Sequence, residues 1–552
     1  MGNCLPISRD DNKKPLPIET ISKLPSPLPS FTSGEGFASG TIDLGGLQVQ
    51  QISSFNKVWV THEGGPGNLG ASFFEPSLPQ GFHMLGSYSQ PNNNPFVGWT
   101  LVAKEDNEDS NILTKPIDYS LVWSSESTKI KADGNGYIWL PTPQDGYKSA
   151  GFVITTSPEK PPLDKLRCVR SDFTESCEAE SWIWGPGKTS DANGFNIFSL
   201  RPSNRGTEAW GVSVGTFSAQ NGGTGLSSSL ACLKNNSSNK YSSMPNLTQI
   251  EDLFRAYSPL VYFHPDEKYL PSSTTWYFTN GALLFKKGEE AKPVGVDPTG
   301  ANLPQGGSND GEYWLDLPAD NKEKERVKRG DLATAKTYLH AKPMLGSTFT
   351  DIAAWVFFPF NGPGRAKVEF INISLGKIGE HIGDWEHLTI RVSNFNGELS
   401  KLFLSQHSGG QWVEPHELEF TGGGNKPVAY ASLNGHALYP KPGLVLQGNG
   451  RIGIRNDTAK SKMVMDMGLG FSVVAGDYLG SAITEPPWLN YLRKWGPKID
   501  YDTKAEAEKI EKVLPGKLKS AFKKFVDGLP DEVFGEDGPT GPKVKRNWSG
   551  DE

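Results

Sequence analysis

Gly379-Glu380-His381-Ile382-Gly383-Asp384-Trp385-Glu386-His387-Leu388-Thr389-Ile390 puts four ionisable side chains into seven residues and then runs on as an alternating apolar strand. Side chains two apart on a strand share a face. Asp384 and Glu386 therefore point one way, with Leu388 and Ile390 continuing that face inward. Trp385 and His387 point the other way. Two carboxylates at the mouth of a buried face repel, and burying them unpaired is costly. A cation, a base or a shifted pKa is the usual remedy. His381, in the Gly-flanked turn, is placed to fold back onto them. An oxygen-rich set with one imidazole suits Ca²⁺ or Mg²⁺ better than Zn²⁺. The alternative is a strand end whose charges are solvated or paired with Arg391 or nearby lysines.

The strands around this stretch predict a β-sandwich. Candidates are 353–359, 365–373, 386–393, 401–406, 416–420, 427–432 and 471–474. His407 and His436 stand in Gly-flanked loops, where site residues are commonly found. His264, in Phe263-His264-Pro265-Asp266-Glu267, either joins the site or caps its own turn. Residues 287–330 are charged and Gly-rich and read as a mobile insertion. After Pro487 a helical pattern runs from Thr503 to Val526, broken at Pro515-Gly516. Its second half is basic, through Lys517, Lys519, Lys523 and Lys524, and either packs on the sandwich or lies on an anionic membrane. The residues beyond it read as disordered.

Upstream, residues 34–235 hold a threefold repeat. Trp59, Trp123 and Trp184 each open a unit, followed by Ser72-Phe73-Phe74-Glu75-Pro76, Tyr137-Ile138-Trp139-Leu140-Pro141 and Ile197-Phe198-Ser199-Leu200-Arg201-Pro202. Gly86, Gly151 and Gly211 follow at nearly constant distance. Each unit reads as about four short strands that cannot bury an apolar face alone, so three sheets around one axis, a β-prism, are expected. The recurring Trp is read as core. The whole is an all-β protein: a flexible arm (1–33), a three-repeat β-prism (34–235), a β-sandwich domain (236–500) and a helical segment with tail (501–552).

Composition narrows function. The 552 residues carry a net charge of −7, which does not suit nucleic-acid binding. The four cysteines show no metal-binding spacing. A Cys168–Cys177 or Cys168–Cys232 pair stays open, and reduced thiols are the expectation. No apolar run approaches a membrane span, so membrane contact is expected to be peripheral. Gly2 and Cys4 suit myristoylation and palmitoylation, although Pro6 stands where Ser or Thr is preferred.

From about Phe55 to its tail, the chain resembles plant members of the vacuolar protein sorting-associated protein 62 family. The resemblance is carried by residues 72–76 with 81–88, by 257–270, 381–386 and 405–410, and by Lys426-Pro427-Val428-Ala429-Tyr430 with Asn434-Gly435-His436-Ala437. It implies a cytoplasmic role peripheral to endosomal, vacuolar or plasma membranes, with trafficking proteins as partners. His381-Ile382-Gly383-Asp384-Trp385-Glu386 is also similar to the signature of necrosis-inducing cytolysins, β-sandwiches that hold a divalent cation and bind sphingolipid headgroups. That similarity implies metal roles for His381, Asp384, Glu386 and His407. Gly383 replaces the second His of that family, and its upstream Asp has only Glu369 as a weak substitute. His387, His436 and His264 are accessory candidates.

The function expected is a non-enzymatic protein that binds a membrane surface or glycolipid headgroup through a Ca²⁺ or Mg²⁺ site. The alternatives are a metal-dependent hydrolase using His381, Asp384 and Glu386, and an interaction scaffold with a structural cation. No nucleophile elbow, P-loop or dinucleotide fingerprint sits in a credible context.

Overall fold

The computed structural model describes residues 23–31, 36–187, 194–222, 226–407, 409–421, 423–449, 452–499, 501–527 and 538–551. Gly2 and Cys4 lie outside the described residues. The protein is mostly β.

The repeats are laid out as three pairs of small sheets. One set comprises Phe55–Val60, Ala71–Pro76 and Tyr88–Pro91; Asp118–Ser124, Tyr137–Thr142 and Val153–Thr155; and Cys177–Trp184, Phe195–Pro202 and Phe217–Asn221. The second set is built around Thr100–Glu105, Cys168–Arg170 and Cys232–Lys234. The register slips beside each repeat tryptophan, and such a bulge re-aims the side chain. Trp59, Trp123 and Trp184 meet as a mutual trio, with ring centroids 5.3–6.0 Å apart. They are core, as their recurrence predicts. The symmetry axis corrects one assignment. A Cβ on Gly86 would lie 2.8 Å from Thr216 Cγ2 and 2.9 Å from Gly151 Cα. The third unit therefore places Thr216, not Gly211, at the axis, where there is room for one side chain among three positions.

The second half is organised by a six-stranded sheet in the order Gly409–Val413, Leu399–Gln406, His381–Ser393, Phe349–Asn361, Thr337–Met344, Phe471–Ala475. Its last pair is parallel and the others antiparallel. Leu388, Ile390 and Val392 pack with Phe263, Ala429 and Met465 on one face, against a four-stranded sheet and the helix Leu247–Tyr257. Trp355, Phe357 and Trp385 fill the other face with Tyr277, Leu315, Trp488 and Trp495.

Several expectations change here. Residues 287–330 are not a mobile insertion. They supply the strand Tyr313–Asp316 and the helix Asn321–Lys328, and Leu315, Leu317 and Val327 are fully buried under the sheet. The single strand expected over 365–373 is a hairpin, Arg365–Val368 with Ile371–Ser374. Residues 416–420 hold a 3₁₀ turn, Pro415–Glu417, in place of a strand. Within the arm, Ser26 N–H donates to Asn425 Oδ1 at 2.8 Å. The two helices form as expected, Thr503–Val513 and Gly516–Asp527. Ile510, Leu514, Leu518 and Phe522 are buried against Ala366, Val368 and Ile378, so the apolar stripe packs internally.

The tail is ordered where it is described. Trp548 stacks on His340 with centroids 3.8 Å apart. Lys342 Nζ donates to the carbonyls of Asn547 and Gly550. Arg391 is held between Asp351, at 2.7 Å through both nitrogens, and Asp551. Burial opposes the charge on Arg391, and the two carboxylates outweigh it and raise its pKa. Removing the guanidinium strands two buried carboxylates, which typically costs 3–5 kcal/mol. Arg391→Met is expected to destabilise the protein by about 3–5 kcal/mol in denaturant unfolding. A further Asp351→Asn substitution is expected to recover part of the loss. A change of under about 1 kcal/mol in the single variant would mean the cluster holds nothing together.

Candidate functional site

His381 begins a strand whose entry is fixed by Gly383. This residue has φ +69°, and a Cβ there would lie 2.5 Å from Trp495 O. The left-handed conformation is open to glycine at little cost. It lets His381 Nδ1 donate to the Gly383 carbonyl at 2.8 Å. Period two then sets Asp384 and Glu386 on the face of Leu388 and Ile390, as the sequence predicts, with Trp385 and His387 opposite.

Asp384 finds a base. His436 Nδ1 lies 3.1 Å from Asp384 Oδ2 and its Nε2 lies 3.0 Å from the Tyr269 carbonyl. Both partners only accept, so both ring nitrogens donate and His436 is an imidazolium. Its ring is fully buried and stacked 3.9 Å from Phe358. Burial lowers the His436 pKa, but the hydrogen bond to Asp384 and the charges of Glu267, Asp384 and Glu386 outweigh it and raise it overall. Burial likewise pushes Asp384 upward, and His436, His381 and Lys545 pull it below the usual carboxylate range. His381 is lowered by burial.

Glu386 behaves differently. Burial first, then the charge of Asp384, push its carboxyl up to about 7. It accepts from Ser405 Oγ and borders a cavity of about 20 Å³ walled by Val261, Val356, Phe358 and Met465. That space is no larger than a water molecule and is too small for a substrate.

The remaining candidates disperse. His407, with φ +57°, contacts Asn456 Oδ1 at 3.0 Å and joins the main sheet to the Ile452–Thr458 strand. His387 is on the opposite face, stacked on Trp355 and bonded to Asn547. His264 Nδ1 accepts from Asp266 N–H, so it caps its own turn. Glu369 sits in the two-residue turn of the 365–374 hairpin. Among the described residues, no three His, Cys, Asp or Glu side chains group closely enough to hold a metal ion. Asp384 is neutralised by an imidazolium, and Glu386 faces apolar walls. The residues present do not fit Ca²⁺ or Mg²⁺. The described cysteines Cys168, Cys177 and Cys232 are free thiols, and Cys177 Sγ donates to the Leu230 carbonyl at 3.6 Å.

Sequence reading missed Lys545, whose ammonium donates to the Trp385 carbonyl at 2.8 Å and lowers Asp384 and Glu386. A lysine in a Gly/Pro-rich tail gives no sign of this position. Glu267, which the sequence offers with His264 and Asp266 as either a site residue or a turn cap, is a clamp: its carboxylate accepts from the backbone of Lys268, Tyr269 and Asn434.

The cluster has a pH signature. Glu386 is raised in the folded state, so the native form binds the extra proton between its unfolded pKa and about 7. Its contribution is fully present below the unfolded pKa and is lost as pH rises through about 7. Glu386→Gln should therefore be more stable than wild type at pH 8, by about 3 kcal/mol, with the difference vanishing near pH 4. Equal stability at both pH values, measured by denaturant unfolding, would contradict the buried neutral carboxyl.

The chain is similar, over part of its length, to several solved structures. GNIP1Aa from Chromobacterium piscinae is 18% identical, at TM-score 0.29, over 38% of this chain and 40% of that one. NLPPya in complex with glucosamine is 15% identical, at TM-score 0.20, over 37% and 70%. Necrosis and Ethylene inducing Protein 2, from the agent of cocoa's Witches Broom disease, is 13% identical, at TM-score 0.19, over 34% and 67%. No curated protein matches. The family model for vacuolar protein sorting-associated protein 62 matches residues 18–552, and the chain belongs to that family.

Proposed function

We propose that this protein is a non-enzymatic, peripheral membrane-docking protein serving vacuolar sorting. The observation that carries this reading is Phe370, 83% exposed at the tip of the hairpin that grows between the Phe349–Asn361 and His381–Ser393 strands. Ile371, beside it, packs against the cluster of Val368 and Phe522, so the helix Gly516–Asp527 lies along this hairpin. That helix carries four lysines and no acid from Gly516 to Val526. Its apolar stripe is buried internally, and Lys523 and Lys524 are exposed.

An aromatic tip beside a lysine face suits an anionic bilayer. Burying one Phe contributes roughly 1.5–3 kcal/mol, and each lysine near the surface about 1 kcal/mol. Their sum supports reversible, salt-sensitive docking rather than permanent anchoring. Among the described residues no helix is long and apolar enough to cross a membrane. Acylation at Gly2 would add a second attachment. The strand-end cluster serves as a rivet in this reading: His407–Asn456 holds the hairpin sheet to the six-stranded sheet, and Asp384–His436 ties that sheet to the loop after Val428–Ala431.

The test is flotation with phosphatidylserine-rich vesicles against phosphatidylcholine alone. Wild type is expected to float with the anionic vesicles, less so at high salt. Phe370→Ser and Lys523→Glu/Lys524→Glu should each weaken binding by about tenfold. Equal flotation with neutral vesicles, or variants that match wild type, would overturn the proposal.

A further inference from the structure

A cleft of about 550 Å³ opens between the first and third repeats and the edge of the six-stranded sheet. Its size falls within the roughly 300–1,000 Å³ of small-ligand sites. It lies away from the strand-end cluster and from the Phe370 hairpin, and shares no lining residue with either.

Three of its walls are aromatic. Tyr88, Trp99 and Trp182 line the cleft and are only half-buried. This sets Trp182 apart from Trp184, which is fully buried in the repeat core. Each of the three rings is braced. Tyr88 packs on Phe55 and Phe96, Trp99 packs on Phe349 at 5.4 Å, and the Trp182 indole N–H donates to Asn196 Oδ1 at 3.0 Å. Rigid aromatic faces of this kind present flat apolar area at little entropic cost.

Between the rings the lining is polar and rich in acceptors. Gln51 Oε1 takes the hydroxyl of Ser393, and Gln90 Oε1 takes that of Tyr88. The carboxyls of Glu180, Glu398 and Glu414 are spread along the lining. Lys401 pairs with Glu414 at 3.3 Å and Arg201 reaches Glu180 at 3.9 Å, which leaves Glu398 against Lys23 among the charged lining residues. The lining is close to charge balance, so a phosphate or uronate would meet no surplus of cations. A ligand with apolar C–H faces and closely spaced hydroxyls satisfies both the rings and the acceptors, and a neutral oligosaccharide is that ligand.

We infer that this cleft is a binding site for a short neutral oligosaccharide, with Tyr88, Trp99 and Trp182 as stacking platforms and Glu180, Glu398 and Glu414 as hydroxyl acceptors. The site is separate from the membrane-docking hairpin, and the two together would let the protein hold a glycan while resting on a bilayer.

The full chain would be screened against arrayed neutral oligosaccharides (gluco-, manno-, galacto- and xylo-series), with oligogalacturonate as the charged control. The leading sugar would then be titrated by calorimetry. At least one neutral series is expected to bind, and to shift tryptophan fluorescence. Trp182→Ala should weaken it by about tenfold or more. Glu180→Gln, which keeps the shape of the side chain and leaves the Lys401–Glu414 pair intact, should weaken it severalfold with the melting temperature unchanged. Vesicle flotation should be unaffected in both variants, which separates failure here from failure of the docking hairpin. Absence of binding across every neutral series, preference for oligogalacturonate, or binding that survives both substitutions in folded protein would overturn the inference.

Discussion

A row of charge crosses four strands of the central sheet, and the protein's parts are joined along it. Lys342 stands opposite Asp351, Asp351 opposite Arg391, and Arg391 opposite Lys401. Lys342 and Asp351 are fully buried and Arg391 nearly so. Such a row in an apolar interior is stable only if every member is satisfied. Each neighbour of the sheet supplies something. The tail brings Asp551 to Arg391 and two carbonyls to Lys342. The Arg391 guanidinium also lies 4.3 Å from the Trp412 ring. The third repeat contacts the same Asp551 through Arg205, at 3.6 Å, and Thr207 donates to the Ser549 carbonyl. Glu414 takes Lys401. One desolvated row therefore decides where the tail lies, how the repeat abuts the sheet and where the cleft opens.

The two faces of the sheet divide labour accordingly. Toward the four-stranded sheet, the His381–Ser393 strand is apolar from Leu388 onward. On the other face, the stacked tryptophans Trp385, Trp488 and Trp495 give way to His387, Arg391 and the tail. Ionisable groups appear where the strand leaves the apolar core. At one end Asp384 meets His436; at the other Arg391 meets Asp351.

What the sequence made legible follows from the range of each interaction. Asp384, Glu386, Leu388 and Ile390 share a face because a strand alternates, which is a local fact. The helix break at Pro515-Gly516 is local too, and the recurrence of Trp59, Trp123 and Trp184 needs only repetition. The partner of Asp384 was not legible, because His436 arrives from a loop 52 residues away. Its Gly-flanked loop marked it as a candidate without saying for what. Composition misled in two places. The charged 287–330 stretch folds because Leu315, Leu317 and Val327 are spaced to meet the underside of the sheet. The Gly/Pro/Lys-rich tail is ordered because Trp548 and Asp551 have partners more than 150 residues away. In the third repeat, length variation between Trp184 and the axis hid Thr216 behind Gly211.

The cation inferred from the paired carboxylates is a further case where local reading sets the right problem and tertiary structure supplies a different answer. Two adjacent acids on a buried face do require compensation. The fold neutralises Asp384 with a buried imidazolium, brings the Lys545 ammonium within Coulombic reach, and pushes the Glu386 carboxyl up to about 7. His436 and Lys545 are distant in sequence, whereas the shift of Glu386 comes from burial and from Asp384 two residues away; together they offset the repulsion between the two acids. The same contacts then take on a mechanical role. Glu267 clamps the backbones of Tyr269 and Asn434, Asn434 donates to Pro363 at the root of the hairpin, and His407 reaches Asn456 on the neighbouring strand. A hairpin that projects an exposed phenylalanine needs a stiff root, since a flexible one would fold that ring back onto the protein's own apolar surface. The polar cluster at the strand end provides that root, which explains why so many ionisable groups gather where no substrate has room to sit.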